Sequence, residues 1–171
     1  ENTLEYDLTS AIYRIAFPDK PKIGLFSSWP VAGAPSMPMM GAPRQGSEPW
    51  AFYQQLQQQY AVETLQPGFT EISPALKTVI LVHPKGLSDA SLYALDQYLL
   101  QGGKVVAFLD PLSAFDLQSN PMGGMRMPEP STLGRLLGAW GVRFDTSKFV
   151  ADLHYGISQG QRNDPGALML D

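Results

Sequence analysis

Residues 77–111 read KTVILVHPKGLSDASLYALDQYLLQGGKVVAFLDP and carry a strand, a helix and a second strand in succession. The run Lys77–Val82 is β-branched and apolar on both faces, which is typical of a strand covered from both sides. A helix over Ser88–Leu100 follows, with its first residue as the N-cap and Gly102-Gly103 at its end. Lys104–Leu109 then predicts another central strand. This pattern indicates a right-handed crossover between parallel strands.

The same alternation of strands and helices extends along the chain in both directions. The further predicted elements are a helix over Leu4–Ala16, a strand over Lys22–Ser28, a helix over Glu48–Tyr60 capped by Ser47, a strand over Ala61–Leu65, a short helix capped by Ser131 and closed by Gly141, and a last strand or two within Val142–Asp152. We therefore predict a doubly wound, three-layer α/β fold with a mainly parallel sheet.

The predicted organisation is one domain over residues 1–171. Within it, residues 1–20 supply an N-terminal helix, residues 22–152 the sheet core and residues 153–171 a loose, polar C-terminal segment. No internal repeat is visible, and the length suits one domain of about 100–200 residues.

The amino-acid composition argues against several classes of function. The chain has 12 Lys+Arg against 16 Asp+Glu, a formal charge of −4, and this balance argues against nucleic acid or an anionic membrane surface as the main partner. Cys is absent, which excludes disulfides, thiolate zinc sites and Cys nucleophiles. The longest apolar run has the length of a strand and is too short to span a bilayer. Because the sequence begins at Glu1 without Met and ends in the apolar stretch Gly166–Asp171, we expect a piece of a longer protein whose anchor or signal lies outside these residues.

Gly and Pro concentrate in two long loops, Trp29–Pro49 and Pro111–Pro130, which follow strands at Ser28 and Asp110. The carboxyl ends of parallel strands share one edge of a sheet, where such folds bind ligands. Six of the seven Met residues lie in these loops: Met37, Met39, Met40, Met122, Met125 and Met127. Together with Trp29 they predict an adaptable apolar surface for a partner protein or ligand, and the alternative is a pair of loops whose composition is incidental.

An enzymatic alternative uses polar residues at the same edge. Ser28 (or Ser27), His83 and Asp110 follow three strands and contain the residue types of a Ser–His–Asp hydrolase. The Ser residues are not flanked by the Gly residues of a nucleophile elbow, so the balance favours a protein that is not an enzyme.

Cofactor and metal sites have no support in the sequence. No Gly-x-Gly-x-x-Gly links the first strand to its helix, and His83 and His154 have no acidic partner at ligand spacing. We therefore expect neither a metal nor a cofactor.

One contiguous signature carries a family resemblance. It consists of HPKGLSD at residues 83–89, LYALDQYLL at 92–100, GGK at 102–104 and FLDP at 108–111, with LEYDLTS at 4–10 near the start. The chain resembles the GldG-like, gliding-motility-associated family of ABC-type transport-system auxiliary components.

The resemblance implies an extracytoplasmic, periplasmic domain of an inner-membrane protein, held by membrane segments outside this chain and associated with an ABC permease and ATPase. It also implies a flavodoxin-like or class I glutamine amidotransferase-like fold. Amidotransferases need a Cys at an elbow, where this chain has His83-Pro84, so glutaminase chemistry is not implied. No site residue follows from the resemblance, and the oligomeric state and transported substrate stay open. A further alternative is a structural scaffold whose partner covers Leu168–Leu170.

Overall fold

The computed structural model describes residues 4–16, 19–33, 38–39, 42–43, 47–113, 115–116, 129–148, 156–159 and 162–168. The chain forms two compact units, Glu1–Phe108 and Leu109–Asp171. The expected single domain over 1–171, with its sheet core at 22–152, stays a prediction.

The first unit is built on a parallel sheet. Its elements are α1 (Leu4–Ala16), β1 (Lys22–Ser27), β2 (Pro38–Met39), β3 (Ala42–Pro43), α2 (Ala51–Gln59), β4 (Ala61–Thr64), β5 (Thr78–Val82), α3 (Asp89–Leu100) and β6 (Val105–Phe108). Four strands pair in the order β4-β1-β5-β6, all parallel, while β2 and β3 form a separate antiparallel pair. The predicted doubly wound parallel α/β class is confirmed.

Successive side chains of each strand point to opposite faces of this sheet. Leu25 is level with Ile80, and Val82 is level with Phe108, so these four side chains belong to one face. On that face Leu25 and Val82 pack with Tyr53 of α2. The connections β1 to β4 and β5 to β6 run in opposite directions across the sheet, so right-handed crossovers place α2 and α3 on opposite faces.

The face opposite α2 is the better sealed of the two, and Val79 and Leu81 there are 0% exposed. Gly24 lies on this face, and a Cβ at that position would stand 3.0 Å from the Leu76 side chain. Leu76 is tied to α3, because the Tyr98 hydroxyl donates a hydrogen bond to its carbonyl at 3.1 Å. The connection between β4 and β5 is thereby fixed to the helix that follows β5.

The predicted ends of α3 are confirmed. The Ser88 hydroxyl accepts the Ser91 N–H at 3.1 Å, which is the predicted N-cap. At the other end Gly102 has φ +87, and the Gly103 N–H donates to the Tyr98 carbonyl at 2.9 Å. A left-handed glycine followed by a bond back into the last turn is the usual glycine-terminated helix end.

The predicted start of α2 is wrong. The helix begins at Ala51, and its N-cap is Trp50, in extended conformation, with no side-chain cap; Ser47 does not cap it. The residue before a proline is disfavoured in the helical region, which keeps Glu48 out of the helix ahead of Pro49. The Trp50 N–H also donates to the Val31 carbonyl at 3.0 Å, a contact with a distant loop that local sequence does not show.

The strand predicted over Lys104–Leu109 is shorter than expected and lies elsewhere in the sheet. It forms β6 at an edge of the four-stranded sheet and not in its centre. Val106 and Phe108 of this edge strand are exposed.

The second unit contains α4 (Arg135–Ala139) and the antiparallel pair β7 (Gly156–Gln159) and β8 (Arg162–Leu168). Gly141, at φ +75, follows α4 as predicted, and the Val142 N–H donates to the Leu137 carbonyl.

The expected Ser131 cap of α4 is wrong. The N-cap is Gly134, at φ +53, because the Ser131 hydroxyl instead accepts the Asp110 N–H at 2.7 Å. The described part of the expected strand region, residues 142–148, contains turns and no strand. The hairpin β7–β8 lies in the segment that the sequence predicts to be loose.

Gly103→Ala should destabilise the chain by about 1–3 kcal/mol, because its Cβ would stand 2.4 Å from the Tyr98 ring, which is 5% exposed and cannot move aside. Gly138→Ala is the control, since a Cβ there meets no atom within 4 Å. Chemical denaturation measures both, and equal midpoints would contradict the prediction.

Ser88→Ala should lower the free energy of unfolding by about 1 kcal/mol, because the Ser91 N–H loses its acceptor. Ser88→Asp keeps an acceptor at the N-cap and should restore most of the loss. If both variants unfold at the midpoint of the parent chain, the cap does not contribute to stability.

Candidate functional site

The strand order places a switch point between β1 and β5. The chain leaves β1 toward β4 on one side and leaves β5 toward β6 on the other. In open α/β sheets the loops diverge at such a point, and ligands bind in the crevice at the carboxyl ends of the strands. Here the crevice lies between the loops that begin at Ser28 and His83.

An aromatic stack fills this crevice. The Trp29 ring lies on the His83 ring with centroids 4.3 Å apart and planes 17° apart. Trp50 continues the stack on Trp29, with ring centroids 5.7 Å apart. His83 is 1% exposed and Trp29 is half-buried. Side chains of this chain therefore occupy the position where a nucleotide or flavin would enter a sheet of this class.

Hydrogen bonds join the same two loops. The Ser28 hydroxyl accepts the Lys85 N–H at 2.8 Å, and the Ser27 hydroxyl accepts the Trp29 N–H at 3.0 Å. The first bond links the loop after β1 to the loop after β5, and the second turns the chain so that Trp29 reaches the stack. Both hydroxyls thus act as acceptors in packed turns.

The backbone of His83 is strained. Its φ of +47 is the only positive value among the described non-glycine residues. Such a conformation costs on the order of 1 kcal/mol and persists where surrounding contacts hold it. Its N–H donates to the Phe108 carbonyl at 2.9 Å, its ring lies against Trp29, and the turn brings the Lys85 N–H to Ser28.

The structure brings together three of the predicted site residues, Ser28, Trp29 and His83, on adjacent loops. Asp110 belongs to the second unit, where its Oδ1 accepts the Leu112 N–H at 2.9 Å and closes a local turn. Met39 is in β2, and only its backbone is described. The other predicted binding residues lie outside the described residues: Met37, Met40, Met122, Met125 and Met127.

The described residues offer no cluster of three or more His, Cys, Asp or Glu side chains for a metal ion. In the part of the chain that the structure covers, no helix has the length and apolar content to cross a bilayer.

Two depressions on the surface of the protein have no signal in the sequence. In the second unit an open cavity of about 560 Å³ lies beside α4, lined by Thr132, Gly134, Leu137, Gly138, Val142, Arg143, Phe144 and Asp145. In the first unit a groove of about 340 Å³ lies between α2 and β6. The groove is formed by residues that are distant in sequence, whereas the cavity is formed within residues 132–145 by α4 and the turns on either side of it, which helical periodicity does not describe.

One carboxylate at the first cavity has a shifted pKa. Hydrogen bonds from the Ser147 hydroxyl and N–H, and then the Lys148 ammonium at 3.3 Å, hold the pKa of Asp145 below its ordinary value. The group is fully exposed, so water screens these interactions and the turn is only a local feature.

Comparison of the sequence with models of known protein families identifies the family of this chain. A family model described as "ABC-type uncharacterized transport system" matches residues 20–168. The chain belongs to this family. The family name indicates an auxiliary component of an ABC-type transport system, in agreement with the resemblance found at residues 83–111. No curated protein and no solved structure matches the chain.

Within this transport-system domain, Trp29→Ala should lower the free energy of unfolding by about 2 kcal/mol, because it removes a half-buried ring stacked on two neighbours. Tyr93→Ala, at a ring that is 64% exposed on α3, is the control and should stay within about 0.5 kcal/mol of the parent. Chemical denaturation of the two variants, monitored by near-ultraviolet circular dichroism, measures both effects. A Trp29 variant as stable as the Tyr93 variant would show that the stack is incidental.

Proposed function

We propose that this domain is a non-enzymatic docking module of an ABC-type transport system, and that its binding surface is the carboxyl edge of the parallel sheet. The observation that carries the proposal is the Trp50–Trp29–His83 stack, which fills the crevice where other sheets of this class admit small ligands. A filled crevice leaves a firm outer surface, which suits a macromolecular partner.

The surface around the stack is accessible. Ser28, Pro30, Ala32 and Gly86 are exposed on the two loops that the Ser28–Lys85 bond joins. Few rotatable side chains need to be ordered on binding at such a surface, which lowers the entropic cost of association. In this proposal the Met residues of the two long loops add adaptable apolar contacts around the stack.

The contacts of Ser28 and His83 favour a binding function over a hydrolytic one. A general base must reach both the nucleophile and the substrate. The His83 ring is 1% exposed and stacked on Trp29, so a substrate would have to open this stack to reach it, while the Ser28 hydroxyl holds the two loops together by accepting the Lys85 N–H. These contacts are those of a packed turn.

The partner in this proposal is the permease–ATPase complex of the transport system, reached in the extracytoplasmic, periplasmic space. Membrane segments outside this chain hold the domain in place. A gliding-motility-like role and an amidotransferase-like fold, both implied by the family resemblance, belong to the same proposal. The acidic balance of the chain fits a protein partner better than a nucleic acid.

Site-specific photocrosslinking tests the surface in cells that make the full-length protein together with its own permease and ATPase subunits. A crosslinker at Ala32, exposed at the carboxyl edge, should capture a transport subunit. The same crosslinker at Gln101, exposed at the amino edge before β6, should not. Equal capture from the two positions, or capture from Gln101 alone, would place the partner elsewhere.

Replacing the six loop Met residues with Ser should reduce the Ala32 crosslink severalfold and leave thermal stability nearly unchanged, because the proposal assigns these side chains to a binding surface, and substitutions outside a packed core usually change stability by about 0.5 kcal/mol or less each. Met169→Ser, outside the two loops, serves as the control. An undiminished crosslink would remove the Met residues from the proposed surface.

A further inference from the structure

A groove on the α2 face of the sheet has an apolar floor and wall. It runs between α2 and the edge strand and has a volume of about 340 Å³. Its lining residues are Phe52, Gln55, Leu56, Gln59, Tyr60, Ile80 and Phe108. None of them is Asp, Glu, Lys or Arg, although the chain as a whole carries a formal charge of −4.

The floor of this groove continues to the edge of the sheet. Phe108 is level with Val82, and Val106 with Ile80, so all four point to the α2 face. Phe108 is 59% exposed and Val106 is 44% exposed. Parallel sheets bury both faces beneath other elements, so apolar strand residues open to this extent indicate a surface that is covered in the assembled protein.

The two edges of the sheet differ in a way that supports this conclusion. The β4 edge has an exposed carboxylate, Glu63, beside exposed Thr64, and charged residues of this kind discourage pairing with other chains. The β6 edge reads Val-Val-Ala-Phe and has neither charge nor proline. An edge strand that lacks charged residues and proline is typical of an edge that another segment covers.

The same chain carries a helix with an uncovered apolar stripe. In α1 the side chains of Leu4, Leu8, Ile12 and Ile15 are 68%, 61%, 60% and 83% exposed. Their spacing gathers them on one side of the helix. Isolated helices of about 12–15 residues are marginal in water, so a 13-residue helix with such a stripe depends on a surface to cover it.

We propose that α1 of one copy docks in the α2–β6 groove of a second copy, and that the exchange is reciprocal and gives a two-fold symmetric dimer. The stripe and the groove are matched in chemistry, since both are apolar and the groove presents no charge to the helix. Specific interfaces bury about 1,200–2,000 Å² in total, and reciprocal docking would contribute to such an area twice over, each time by covering four stripe side chains that are 60–83% exposed. The inference is independent of the proposed docking function.

Disulfide trapping distinguishes exchange between copies from packing within one chain, because the 171-residue chain has no Cys of its own. An Ile12→Cys chain and a Phe108→Cys chain are prepared separately, mixed and oxidised. The expected product is a heterodimer linked between these positions. Ile12→Cys mixed with Tyr93→Cys, whose cysteine replaces an exposed ring on α3, is the control and should give little product.

Two results of this trapping would overturn the proposal. One is the absence of Ile12–Phe108 heterodimers above the level of the Tyr93 control. The other is a chain with both substitutions that closes only on itself, which would show α1 in the groove of its own chain.

Sedimentation velocity of the 171-residue chain gives a second test of the dimer. The parent should show a concentration-dependent monomer–dimer equilibrium, and Ile12→Asp should raise its dissociation constant about tenfold or more. Ile12 is 60% exposed, so the variant should keep the fold, which circular dichroism checks. Tyr93→Asp should leave the dissociation constant unchanged. A parent chain that stays monomeric at every soluble concentration would contradict the dimer.

Discussion

The stacking of Trp29 on His83 is the contact on which the carboxyl edge of the sheet depends. It occupies the switch point between β1 and β5, at a ring-centroid distance of 4.3 Å, and it is one of the contacts around His83, whose backbone is in a left-handed conformation. That conformation in turn brings the Lys85 N–H to the Ser28 hydroxyl. Without the stack, the strained residue would lose one of the three contacts that offset its cost, and the two loops would lose their common packing.

This arrangement supports the proposed docking function, although the sheet has the topology of many ligand-binding domains. The topology provides a crevice, and the chain fills it with its own aromatic side chains. Fold alone does not determine function, and the site residues present here make hydrogen bonds and ring contacts that stabilise a surface. Membership of a family named for an ABC-type transport system is consistent with the proposed docking function.

Local signals predicted the framework well. The strand–helix–strand unit at residues 77–109, the Ser88 cap and the glycine end of α3 depend on residues close together in the chain, and all three were predictable. The start of α2 and the role of Ser131 depend on distant backbone partners, Val31 and Asp110, which no local pattern contains. The sheet position of β6 also required the topology, because an apolar run has the same appearance in the centre and at an edge.

The candidate site was predictable in its location but not in its contacts. Strand direction alone placed Ser28, Trp29 and His83 at one edge. That Trp29 would lie on His83, and that Ser28 would accept a backbone N–H, followed from side-chain packing between separate loops.

The most direct test of the docking surface is an experimental structure of the full-length protein bound to its permease and ATPase subunits. We expect the loops at residues 28–33 and 83–86 to contact a transport subunit while the Trp29 and His83 rings stay stacked with their centroids 4.3 Å apart. A structure in which these loops face solvent, or in which the rings separate around a small molecule, would contradict it.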